Sequence, residues 1–173
     1  MSKLFVDEIQ PKTTGGIINA KGMVTQVKNV MNSNLVNHTA AIPWDNTIPQ
    51  NTEGSEFLTL AITPTSATSK LKIEVHGFWS CNPISWLTMA LFQDNNANAI
   101  NASMIIEIGS VNATVYSGTS LVHFMESGTT SETTFKVRVG ANSVGNVTMN
   151  GINNASFFGG AMSSGITITE IGA

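Results

Sequence analysis

A chain of 173 residues with 42% hydrophobic residues can build one domain with a genuine core and is too apolar to be disordered throughout. The net charge is −3 with no basic block, which argues against a nucleic-acid partner, since neutralising phosphates takes clustered Lys or Arg. A single cysteine, Cys81, excludes an intrachain disulfide framework and a thiolate zinc cluster. No apolar run reaches membrane-spanning length, so no membrane insertion is expected.

Charged residues make up only 11% of the chain, whereas Ser, Thr, Asn and Gly supply roughly 40%. The surface must therefore be built from neutral hydroxyls and amides, which are little affected by salt or pH. The same residues are also the usual material of turns in a β-rich protein.

In chain order, residues 1–22 read as an extended arm. Leu4, Phe5, Val6 and Ile9 are its apolar attachment residues, Pro11 stops any helix, and Gly15–Gly16 marks a turn. One short strand cannot bury itself, so the arm needs something to pack against. Asp7 and Glu8 follow Met1–Ser2–Lys3 where a signal sequence would continue apolar, which places synthesis in a cytoplasm.

From residue 23 to 173 the pattern is strand after strand. Residues 23–31 alternate. Phe57–Ile62 is an apolar run closed by Thr63–Pro64. Leu71, Ile73 and Val75 alternate with Lys70, Lys72, Glu74 and His76, the clearest period of two. Further strands are predicted over 86–92, 121–125, 135–139, 145–149 and 165–171. Residues 94–118 are loop-rich, with Met104–Ile108 as a strand candidate. Strands at this spacing, separated by turn residues and without an amphipathic helix, predict an all-β antiparallel sandwich.

The strand at 86–92 is apolar on both faces. In a sandwich one face of a strand normally meets water, so Leu87, Met89 and Leu91 are candidates for a subunit interface. The competing reading is a central strand covered by a long loop.

The stretch LAITPTSATSKLKIEV (60–75), the opening SKLFVDEIQPKTTGG and the closing GITITEIGA resemble bacteriophage tail-fibre and head-fibre proteins. The resemblance implies a jelly-roll-like β-sandwich assembled as a homotrimer. It also implies an N-terminal arm held by other virion proteins (tail hub, adaptor or capsid) and a domain exposed on the virion surface after synthesis in the host cytoplasm. Threefold order comes from the resemblance alone.

His38, His76 and His123 are the three histidines. Only His123, inside an apolar strand, is a weak metal candidate, because a ring of symmetry-related imidazoles could hold an ion. No metal or other cofactor is otherwise expected. No nucleophile elbow, HExxH, P-loop or dinucleotide turn is present, so no catalytic residue is assigned. Trp79 and Trp86 read as core aromatics. Trp44, in a turn-rich segment, and Tyr116, in the loop-rich region, are the receptor-contact candidates. The expected role is a non-enzymatic tail fibre or fibre tip contributing to host adsorption through a host-surface glycan. The alternatives are a head fibre or capsid decoration protein and a lectin-like module. A glycan hydrolase would need two facing carboxylates.

Overall fold

A computed structural model describes residues 21–83, 85–105 and 115–173. The attachment residues Leu4, Phe5, Val6 and Ile9 lie outside the described residues. At the start of the described chain, Gly22 donates to the carbonyl of Gly172 and Gly172 donates to that of Met23, so the two ends of the sandwich domain are tied together.

The described residues form two antiparallel sheets packed face to face. In chain order the strands are β1 (Val24–Asn32), β2 (Val36–Thr39), β3 (Ser55–Ile62), β4 (Lys70–Asn82), β5 (Leu87–Gln93) and β6 (Asn101–Ile105). They continue as β7 (Val115–Glu126), β8 (Thr133–Ala141), β9 (Asn146–Met149), the short pair β10 (Gly151–Ile152) and β11 (Ala155–Ser156), and β12 (Ser164–Ile171). The first sheet runs β1-β12-β4-β9-β2 with β7 on the other side of β4, and the second runs β3-β8-β5-β6. Apart from β5–β6 and the short β10–β11 pair, neighbouring strands are non-consecutive, which makes this the predicted jelly-roll-like sandwich.

Strand β4 organises the first sheet because it is long. Its whole length pairs with β7, from Lys70↔Glu126 to Cys81↔Val115. On its other side, β12 covers Lys70–His76 and β9 covers Trp79–Asn82. Alternation decides the faces. Leu71, Ile73 and Val75 point inward and are buried with Ile166, Ile168 and Leu121, while Lys70, Lys72, Glu74 and His76 point out.

The second sheet supplies the opposing layer: Leu58, Phe135, Val137, Val139, Leu87, Met89 and Leu91 join the same core. A register shift between Glu56 and Leu58 lets the adjacent Phe57 and Leu58 both enter the core, as a bulge does by adding a residue to one strand. Phe57 then meets the buried Trp79 edge-on, with ring centroids 5.1 Å apart. Cys81 is buried in this core.

One expectation about β5 is corrected. Leu87, Met89 and Leu91 are not interface residues: they are core, and Met89 and Leu91 are 0% exposed, so they have no surface left for a partner. The opposite face of β5 is the one that needed a cover, and the chain supplies it. Ile42 packs on Ala90 and Phe92 in a second small core. The long loop carrying Ile42 crosses the sheet at Gly140, where an added Cβ would lie 2.6 Å from the Ile42 nitrogen. Of the strand candidate Met104–Ile108, Met104 and Ile105 lie in β6 (Asn101–Ile105) and 106–108 lie outside the described residues.

Candidate functional site

The loop over β5 is pinned at several points. Ile42 N–H donates to Ala141 O, and Gly54 N–H donates to Ala41 O. The Arg138 guanidinium donates to the carbonyls of Glu53 and Gly54 at 2.7 and 2.6 Å. Further along, Gln50 Nε2 donates to Ile48 O and to Asn98 Oδ1. A segment of Asn, Thr, Pro and Gly thus becomes a fixed strap, because its backbone groups find partners on the sheet beneath.

The strap positions Trp44. Its backbone N–H donates to Asn142 Oδ1 at 2.8 Å and its indole N–H donates to Thr88 Oγ1 at 2.9 Å. Its ring stacks on Trp86, with centroids 4.4 Å apart and planes 19° from parallel. Beside it a cavity of about 450 Å³ opens between the strap and β6, lined by Pro43, Trp44, Asp45, Pro49, Thr88 and Met104 among others. Hydrogen bonds from the Thr47 hydroxyl and N–H hold the Asp45 carboxyl below its ordinary acidity range.

The receptor-contact candidates part company here. Trp44 sits at the cavity, as a contact residue must. Tyr116 is not in a loop: it lies in β7, paired with Ser80, and its side chain is outside the described residues. Trp86, expected in the core, is 51% exposed, because it precedes β5 on the face turned away from the core and its cover is a second tryptophan. Its role as a platform for Trp44 had no sequence signal, since the two lie 42 positions apart and no motif connects them.

His123 pairs with Ile73 and so shares the inward side of β7, half-buried. Burial alone lowers its basicity. Among the described residues no group of three His, Cys, Asp or Glu side chains, around His123 or elsewhere, could hold a metal. The cavity lining holds one carboxylate, Asp45, where a hydrolytic pair needs two.

A different surface feature stands out on the first sheet. The outward rows are Met31–Gly165–His76–Ser120, Asn29–Thr167–Glu74–Val122 and Val27–Thr169–Lys72–Phe124. Val27, Met31, Val122 and Phe124 are all about half exposed, Phe124 at 58%. Lys72 and Glu74 between them form a 2.8 Å ion pair, so the centre of the face carries no net charge. Among the described residues no helix is long and apolar enough to cross a membrane.

No family model and no curated protein matches this chain. Solved structures that resemble it include an Eiger TNF from S. frugiperda, with TM-score 0.41, 12% identity and coverage of 85% of this chain and 94% of that one. A second is the enzymatically active domain of tailspike protein 4 of bacteriophage CBA120, with TM-score 0.28, 17% identity and coverage of 76% and 20%. A third is the VP2 subviral particle of infectious bursal disease virus, with TM-score 0.29, 9% identity and coverage of 86% and 38%. The chain thus spans about a fifth of the tailspike domain. These scores are low, and the sandwich assignment stands on the strand order and the core.

Proposed function

We propose that this chain is a non-enzymatic structural module of a virion surface, a tail fibre or fibre tip that assembles with copies of itself into a trimer. The observation that carries the assembly is the outward face of β1-β12-β4-β7. Val27 and Met31 at one edge and Val122 and Phe124 at the other are half exposed on one sheet, flanking a middle made of Thr167, Thr169, Lys72 and Glu74, and these two apolar edges are what a second copy would cover. The internally neutralised Lys72–Glu74 pair removes the like-charge repulsion that two identical faces would otherwise feel. Closed rotational symmetry repeats one such patch in each copy and buries it without leaving open ends.

The virion setting is supported by the likeness of residues 60–75 and of the two chain ends to phage fibre sequences. It is also supported by a surface poor in titrating groups, suited to media of varied salt and pH. In this reading residues 1–22 engage the particle and the sandwich faces outward.

A cryo-EM reconstruction of the particle that carries the protein tests this directly. The expected result is three copies around a local threefold axis at the tail, with the β1/β7 face at the contacts. Density for the chain over the capsid shell in high copy would replace the fibre role with a decoration role. Absence from the particle would remove both.

A further inference from the structure

The cavity beside Trp44 is an open groove with one rigid aromatic wall. Its volume of about 450 Å³ falls within the range of small-molecule sites, roughly 300–1,000 Å³. Trp44 is fixed by the Asn142 bond at its backbone, the Thr88 bond at its indole and the Trp86 stack on its ring. A wall already fixed in one rotamer loses little freedom when a ligand arrives. The strap that carries it is anchored to the sheet by Arg138 and Ile42, so the wall and the floor keep their spacing.

The lining sorts into two chemistries. Trp44, Pro43, Pro49 and Met104 form apolar walls, and Asp45 and Thr88 add polar groups. Asp45 Oδ1 is taken by Thr47, and no described donor meets Oδ2. Thr88 Oγ1 accepts the indole proton, and its own hydroxyl proton meets no described acceptor. The site therefore offers an apolar surface, a free charged acceptor and a free neutral donor. A sugar ring presents the matching set: an apolar C–H face and a rim of hydroxyls that both donate and accept. No Lys or Arg lines the cavity, and an anionic ligand would meet the Asp45 carboxylate with no cation to offset it.

We infer that this cavity is a binding subsite for a neutral saccharide, with Trp44 as its apolar wall and Asp45 and Thr88 as its hydrogen-bonding partners. This deepens the virion-surface reading by giving its adsorption role a ligand class, and it rests on that reading only for its biological setting.

The test titrates the purified full chain with the methyl glycosides of glucose, galactose, mannose and N-acetylglucosamine, and with a sialoside. Saturation-transfer NMR and tryptophan fluorescence report binding. The expected result is millimolar binding of at least one neutral glycoside and none of the sialoside. Asp45→Asn and Thr88→Val should each weaken that binding about tenfold, the scale of one charge-assisted or buried hydrogen bond. Asp45 is exposed, so its variant should melt with the wild type and decides the matter should Thr88→Val unfold. Failure of every neutral glycoside to bind, or binding untouched by Asp45→Asn, overturns the inference. Sedimentation of the same sample separates the two readings: a chain that assembles yet binds no sugar refutes the saccharide site alone, and a monomer that binds sugar refutes the assembly alone.

Discussion

Glu170 Oε1 accepts hydrogen bonds from both the backbone N–H and the hydroxyl of Thr65, at 2.8 and 2.7 Å. Gln26 Nε2 donates to the other oxygen, Oε2, and also to Thr63 O. One carboxylate, 0% exposed, thus joins the last strand, the first strand and the turn between β3 and β4. A buried charge is tolerable only where it is bonded this fully. The Thr63–Pro64–Thr65–Ser66 turn has a physical role here: its N–H groups and hydroxyl solvate Glu170.

Glu170→Ala should therefore lower stability by about 2–4 kcal/mol, since it strands the turn donors as well as removing the acceptor. Glu170→Gln should lose less, because the amide oxygen still accepts from Thr65. Urea denaturation of the two variants checks the order. Equal losses would show that charge, not hydrogen bonding, holds the turn.

Acid should weaken the fold in two stages. Burial opposes ionisation of Glu170 and pushes its pKa up, but hydrogen bonds from Gln26 and Thr65 outweigh it. The net shift is below the ordinary 4.5. Its contribution is complete above that value and disappears as pH falls through the lowered folded-state value. His123 is shifted below its ordinary 6.5 by burial. The unfolded chain therefore takes up its proton first, and stability already declines below about pH 6.5. Melting temperatures across pH 3–8, by the same linkage, should fall in both windows, and His123→Gln should remove the upper decline alone.

Arg138→Ala should free the strap, because the carbonyls of Glu53 and Gly54 lose their donors. A cost of about 1–3 kcal/mol is expected from lost bonds to a charged group. The tryptophan emission should shift as the Trp44–Trp86 stack loosens. Arg138→Lys should recover only part of the loss, as one ammonium replaces a forked pair of donors.

Gly140→Ala should destabilise by about 1–3 kcal/mol through overpacking. The new methyl would meet the Ile42 backbone nitrogen at 2.6 Å, and backbone cannot turn aside as a side chain can. Gly118→Ala, with nothing within 4 Å of the added carbon, is the matched control and should be near neutral. Thermal melts of the pair read the difference.

The legible part of the fold was the part with a period. Leu71, Ile73 and Val75 announce both strand and face, and Phe135, Val137 and Val139 in β8 follow the same logic, whereas β3 was legible only as an apolar run. Strand β5 was legible as apolar on both sides, yet the identity of its cover was not. Ile42 sits alone between Ala41 and Pro43, and a single residue in a loop has no periodicity to detect. Strand β2, a four-residue strand (Val36–Thr39) rich in Asn and His, carries too little apolar content to be read in advance. At the candidate site, Trp44 could be singled out for its turn-rich setting. Trp86 could not, because an apolar strand start suggests core unless a long-range partner is known. The outward Val122 and Phe124 flank the half-buried His123, and alternation there identifies two faces without saying which one is inside.

Sedimentation equilibrium of the purified chain beside its Val122→Lys/Phe124→Lys double variant tests the central claim most directly. The account predicts a trimer mass for the natural chain and a folded monomer for the variant. Both side chains face outward, so their replacement should leave the sandwich intact. A natural chain that sediments as a monomer across micromolar concentrations, with those residues wet, would contradict it.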